Sequence, residues 1–347
     1  MMDLVTVRAS SLGHLVLNRP AALNALTHDM IRGARAAFAQ WRDDPTVVSV
    51  LVSGAGERGL CAGGDIVGIY ASVRDDGSEA AALWADEYAM NAEIAHYPKP
   101  FVALMDGIVL GGGVGISAHG SVRIVTERTR LGMPEVGIGF TPDVGGTWLL
   151  SRAPGELGTH AAVTGGAMTG SDAITLGLAD HFVPSPQLAT LVRALENEPA
   201  DAVIHRFAEE PPPSILVTER DWIDEAYAGD DPAAIVDRLD ASTVPAARDA
   251  AATIRSKSPT SVAVALEAMR RAKALDSLEE VLNQDYRLAL RFLEGHDLAE
   301  GIRAQVIDKD RTPSWSPSTL AAVSRADVEH YFADLGPREL GLSPTAN

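Results

Sequence analysis

Two glycine-rich runs constrain this chain more than anything else in it. The first is Cys61-Ala62-Gly63-Gly64-Asp65, the second Gly111-Gly112-Gly113-Val114-Gly115. Runs like these are poor helix or strand interiors, because glycine loses the most backbone entropy on ordering. They do permit close approach: with no Cβ in the way, a backbone N–H comes within reach of a neighbouring segment or a ligand. The second run lies between an apolar strand-like stretch, Phe101–Met105, and a short apolar segment, Val114–Ala118, so it reads as a strand feeding a helix. A helix start presents N–H groups without intrahelical acceptors and the positive end of the helix dipole. Two readings stay open on these grounds. The runs are tight turns with close packing, or they aim two N–H donors at one developing negative oxygen, an oxyanion hole.

Two acids follow the runs. Glu135 stands in Gly132-Met133-Pro134-Glu135 and Asp143 in Thr141-Pro142-Asp143-Val144-Gly145-Gly146. Gly137, Gly139 and Pro142 lie between them, which excludes stacking on one helix; a loop must bring the two together if they cooperate. Taken alone, each reads as a solvated loop carboxylate. Close to an oxyanion hole, they would instead supply base and acid, or nucleophile and acid, for chemistry on a carbonyl.

Competing motifs are weaker. Gly54-Ala55-Gly56-Glu57-Arg58-Gly59 satisfies the dinucleotide-binding spacing after a strand-like run. That motif must open a helix, whereas here more glycine follows, and two strands already precede it, so it reads as a turn-rich loop. Cys61, the sole cysteine, has no histidine in a recognisable pairing and reads as a small apolar filler. Gly115-Ile116-Ser117-Ala118-His119 lacks the last glycine of a nucleophile elbow. The nine histidines show no metal-ligand spacing, so no metal site is expected.

The rest of the chain reads as strands and helices in alternation. Leu4–Val7 and His14–Asn18 form a hairpin, Thr27–Trp41 a helix capped by Thr27, Val47–Val52 a buried strand, Ser78–His96 a longer helix, and Phe101–Met105 and Val122–Thr126 further strands. Ile66–Arg74 reads as a loop. Gly155–Leu178 is mixed and helical. Pro211-Pro212-Pro213 then interrupts the chain, and helix formers dominate afterwards, as in Ser261–Lys273 and Leu278–Phe292. The expected organisation is an α/β core over 1–210 and a mostly helical region over 211–347. No apolar run reaches the ~18 residues that span a bilayer, and no leader segment stands out, so a cytoplasmic protein without a membrane partner is expected. A net charge of −18 makes nucleic acid an unsuitable partner.

Taken together, these residues resemble the crotonase, or enoyl-CoA hydratase/isomerase, superfamily. Four segments carry the likeness in the family's order: Leu17-Asn18-Arg19-Pro20 with Leu23-Asn24-Ala25-Leu26, Cys61–Asp65, Asp106–Gly113, and Met133–Gly146. The resemblance implies a spiral of repeated ββα units with helices trailing behind, and a trimer-based homo-oligomer. It implies an acyl-CoA substrate, with CoA entering as part of the substrate and no separate cofactor. It makes the Gly64 and Gly112 N–H groups the oxyanion hole and Glu135 and Asp143 the catalytic acids. It also places Ala62, Asp65, Gly112 and Glu87 among the substrate-binding residues; alone, Glu87 passes for an exposed helix carboxylate.

One departure from the hydratases is informative. Hydratases carry a catalytic glutamate two residues after the triple glycine, where this chain has Gly115. They commonly have glycine at the place of Asp143. An acid there is similar to the branch that hydrolyses 3-hydroxyisobutyryl-CoA in valine breakdown. Lys257–Ser261, Glu300–Ala304, Ile307–Asp310 and Pro313–Trp315 are similar to that branch as well. Thioester hydrolysis is therefore expected. The alternatives are a hydratase or isomerase acting on another short acyl-CoA and, in a different class, a non-catalytic acyl-CoA-binding protein.

Overall fold

The β-branched and aliphatic runs become strands in a computed structural model that describes residues 3–344. They are β1 (Leu4–Ala9), β2 (Leu12–Leu17), β3 (Ser49–Gly54), β4 (Gly59–Cys61), β5 (Phe101–Met105), β6 (Ile108–Leu110), β7 (Val122–Val125), β8 (Arg130–Gly132) and β9 (His181–Phe182). One sheet has the order β1-β2-β3-β5-β7-β9 and a smaller one the order β4-β6-β8. β1 and β2 form the expected antiparallel hairpin, pairing Leu4 with Leu17 and Ala9 with Leu12. All other pairs are parallel. In β3–β4, β5–β6 and β7–β8 the first strand joins the large sheet and the second the small one, and helical chain follows each pair. That is the repeated ββα unit the resemblance implied.

The molecule divides into two compact units. The first contains the residues up to Asp65, Asp86–Gly132 and Ala167–Ser214, and with them every strand; the second contains Ile66–Ala85, Met133–Gly166 and the chain from Ile215 onward. In the first unit the central strands are buried on both faces, which explains why β3 and β5 read as unbroken apolar runs rather than alternations. Leu51, Val102, Leu104 and Ile124 pack on the helices Leu188–Leu195 and Ala200–Phe207. Phe101, pointing the other way, meets Phe38 of the helix His28–Asp43 edge-on at 5.2 Å between ring centres. Thr27 caps that helix by accepting the Met30 N–H. Gly13 lets the helix settle onto β2, since a Cβ there would stand 2.6 Å from the Trp41 ring.

The second unit is helical. The helix Pro259–Ala272 starts with proline in its first turn behind the Ser258 cap, and Leu278–Glu294 starts with a reciprocal Ser277–Glu280 capping box. Ile66–Arg74, expected as a loop, contains the helix Ile66–Val73 instead. Its β-branched residues and Gly68 give it little intrinsic preference for helix. Tertiary packing on the helix Asp297–Ile302 and the turn Arg303–Ile307 holds it, which local reading does not see. Among the described residues, no helix is long and apolar enough to cross a membrane.

Candidate active site

In the first unit the two glycine runs come together. Cys61 ends β4, and the strap Leu23–Leu26 then runs beside Ala62–Asp65: the Ala62 N–H donates to the Leu23 carbonyl at 3.0 Å, Leu26 to Gly63 at 2.8 Å and Asp65 to Leu26 at 2.8 Å. Gly64 pairs with Leu26 in a parallel bridge whose hydrogen bonds use neither its N–H nor its carbonyl. Side chains lock the strap. The Asn24 amide donates to the Ala55 and Gly59 carbonyls at 3.0 and 3.1 Å, and its oxygen accepts the Arg19 N–H. Arg19 in turn donates to the Ala25 carbonyl and pairs with Asp65 at 3.2 Å. The sequence segment around Arg19 and Asn24 therefore acts as scaffolding for the Gly63–Gly64 turn.

Gly112 opens the helix Gly112–Ala118 directly after β6, so its N–H belongs to the first turn, whose donors have no intrahelical acceptor. It sits next to Gly64: a Cβ built on Gly112 would lie 3.3 Å from the Gly64 nitrogen and would overlap Glu87 Oε1. Gly112 is thus glycine because two groups crowd its Cα. The two glycines whose N–H groups the oxyanion-hole reading names are therefore close neighbours. Ala62 and Asp65 flank Gly63 and Gly64 in the chain, and their own N–H groups donate to the strap.

Glu87 is the surprise of this unit. It is only 2% exposed, although its neighbour Asp86 faces outward into ion pairs with His28 at 2.7 Å and Arg35 at 2.6 Å. Adjacent acids on one helix point about 100° apart, so one faces the surface and the other reaches Gly112. Cys61 is fully buried and its thiol is pushed up to about 12 by that burial, which suits a filler and not a nucleophile.

In the second unit Glu135 and Asp143 are both buried, at 7% and 6% exposure, so neither is a solvated loop carboxylate. Glu135 begins a short 3-10 turn, Glu135–Ile138. Distant segments clamp that turn. The Ser258 N–H donates to the Val136 carbonyl at 3.2 Å, and the Ser258 hydroxyl donates to Asp297 at 2.6 Å. Burial holds the Asp297 carboxyl above its usual range, and it also accepts the Ser316 N–H at 2.8 Å. Gly139, at φ +74°, and Gly301 allow backbone against backbone; a Cβ on Gly139 would overlap the Asp297 carbonyl oxygen, and one on Gly301 would overlap Ile138. Ser258 and Gly301, two of the residues that hold the Glu135 turn, thus come from the late sequence signatures Lys257–Ser261 and Glu300–Ala304.

Asp143 lies in a loop where Val144 and Gly145 both have positive φ, +53° and +72°. The Gly146 N–H closes the loop on the Asp143 carbonyl at 2.7 Å. The Gly145 N–H donates at 2.8 Å to Asp285, a fully buried carboxyl on the helix Leu278–Glu294. Burial, and then the charge of Asp143, drive the Asp285 carboxyl well above its usual range. Sequence reading passed over Asp285. The signal was present: it occupies a core position, in step with Val281, Leu282, Leu288, Ala289 and Phe292.

A sequence profile described as enoyl-CoA hydratase/isomerase matches residues 12–332. The mitochondrial 3-hydroxyisobutyryl-CoA hydrolase of Danio rerio is 38% identical, over 95% of this chain and 89% of its own. The Homo sapiens protein of the same name is 36% identical, over 94% of this chain and 88% of its own. Among solved structures, a carnitinyl-CoA dehydratase from Mycobacterium thermoresistibile is similar with a TM-score of 0.95 at 52% identity, covering 98% of each chain. An enoyl-CoA hydratase from Rhodobacter sphaeroides 2.4.1 is similar with a TM-score of 0.93 at 40% identity, covering 98% of this chain and 100% of its own.

Proposed function

This chain belongs to the enoyl-CoA hydratase/isomerase family, and from that premise we propose that it hydrolyses the thioester of a short branched β-hydroxyacyl-CoA, 3-hydroxyisobutyryl-CoA. One observation carries the choice of hydrolysis over hydration. The helix that opens with Gly112 has glycine at 115, so it offers no second glutamate for adding water across a double bond, while Glu135 and Asp143 are both present and buried.

The chemistry runs as follows. The Gly64 and Gly112 N–H groups take up the thioester oxygen as it gains negative charge. Glu135 removes a proton from water as the water attacks the carbonyl carbon, or attacks that carbon itself to give an anhydride that water then opens. The tetrahedral intermediate collapses, the C–S bond breaks, and CoA leaves as a thiolate that takes up a proton with assistance from Asp143. The products are the hydroxy acid and free CoA. No metal or redox cofactor enters this scheme. Glu87, beside Gly112, suits the role of acceptor for the substrate's β-hydroxyl, which would favour hydroxyacyl over plain acyl chains. We place the reaction in valine breakdown and the protein in the cytoplasm as a trimer-based oligomer, which light scattering on the purified protein checks.

The second reading has its own observation, since the two similar solved structures above are of a carnitinyl-CoA dehydratase and an enoyl-CoA hydratase. Release of free thiol from 3-hydroxyisobutyryl-CoA, followed with an aromatic disulfide reagent, separates the two, with crotonyl-CoA run alongside. Cys61, buried with a raised pKa, leaves that reagent reading CoA alone. Thiol release supports the hydrolase. Loss of crotonyl absorbance without thiol release identifies a hydratase and overturns the proposal.

A further inference from the structure

We propose that Asp285 is a positioning residue for this reaction, holding through the Gly145 N–H the loop that carries Asp143. The catalytic part of this proposal rests on the hydrolase reading above.

Asp285 stands fully buried on the apolar face of the helix Leu278–Glu294, where a leucine would pack without desolvating a carboxyl. What the acid supplies is an acceptor. Its Oδ2 takes the Gly145 N–H at 2.8 Å, across 140 residues of chain. The segment it grips is strained: Val144, a β-branched residue, has φ +53°, and Gly145 follows at φ +72°. Two successive left-handed residues persist only where the surroundings over-determine them. Asp143 precedes this pair, and the Gly146 N–H on its carbonyl ties it to the same bend. Releasing Gly145 therefore lets the bend relax and Asp143 drift.

The charge state fits the role. Burial and the nearby Asp143 charge both favour a neutral Asp285, so it anchors the loop without setting a second negative charge beside the first. A neutral amide should then do the same work.

The test compares two variants by kcat, KM and hydrogen–deuterium exchange of the segment 141–147. Asp285→Asn keeps a neutral acceptor, and its kcat should stay within about threefold of the parent. Asp285→Leu fills the space without an acceptor. Its kcat should fall about tenfold or more with KM nearly unchanged, since displacing a catalytic group by about 1 Å costs up to about 10²-fold. Exchange in 141–147 should speed up in the leucine variant and not in the asparagine variant. Where Asp285→Leu fails to fold, Asp285→Ala takes its place in the same comparison. A leucine or alanine variant with parental kcat overturns the proposal, as does an asparagine variant that loses as much as the leucine one. The exchange measurement keeps the two claims apart. Absent thiol release in the parent sinks the hydrolase reading, whereas equal exchange in all variants sinks the anchor.

Discussion

The strand-bearing unit and the helical unit hold their candidate functional groups by different means. Gly64 and Gly112 contribute backbone N–H groups, fixed by a strap and by the start of a helix directly after β6. Glu135 and Asp143 contribute side chains, fixed by Ser258, Asp285, Asp297 and Gly301, all more than a hundred residues away in sequence. A backbone donor survives every substitution except proline, so most changes can act on it only by blocking it with bulk. A carboxylate is removed by one atom's change, and its support can be cut at a distance.

That contrast orders the expected effects. Glu135→Gln removes the proton acceptor and should lower kcat by about 10²–10⁴-fold with KM little changed; parental turnover in this variant would falsify the assignment. Gly112→Ala leaves the N–H in place but drives a Cβ into Glu87 and toward the Gly64 nitrogen. Its kcat/KM should fall by about 10²-fold or more, near the ~3 kcal/mol lost with one oxyanion donor. An alanine variant of full activity would mean that the hole lies elsewhere. Asp143→Gly should slow hydrolysis about tenfold or more, and unchanged thiol release would return Asp143 to a structural role.

Smaller effects sharpen the same contrast on the side of the supports. Gly139→Ala sets a Cβ against the Asp297 carbonyl at a positive φ, so the midpoint of thermal unfolding should drop by about 1–2 °C for each kcal/mol of strain. A melting point equal to the parent's would mean that the clamp on the Glu135 turn is slack. The smallest effect is in pH. Arg303 beside Glu300, with the Ser314 N–H, holds that carboxyl down to about 2. A depressed carboxylate pKa stabilises the folded state above the ordinary carboxylate range and loses that contribution as pH falls toward 2. Melting of the parent should therefore decline on the acid side more steeply than that of Glu300→Gln. Parallel curves would show that this exposed network contributes nothing, as many surface ion pairs do.

Much of the first unit was readable from local pattern. The hairpin, the helix capped by Thr27 and the strand β5 stand at or within a residue or two of their expected places. β4, β6 and β8 were not found, since three residues are too few to show a period. The helix Ile66–Val73 was missed because packing, not propensity, forms it. Of the candidate residues, Gly64, Gly112, Glu135 and Asp143 are singled out in the sequence by residue type and by resemblance. Glu87 came from resemblance alone, and Asp285 was passed over although its place on an apolar helix face was visible.

The division follows from what each kind of information contains. A missing Cβ, an apolar period or a capping threonine is a property of a few adjacent residues, so the glycine runs, the strands long enough to repeat and the helix starts were already settled in the order of amino acids. Which of Asp86 and Glu87 is buried, what clamps the Glu135 turn and which carboxyl grips Gly145 depend on segments far apart in the chain. Those choices were made by packing, because burial and a long-range hydrogen bond exist only once the distant partner has arrived.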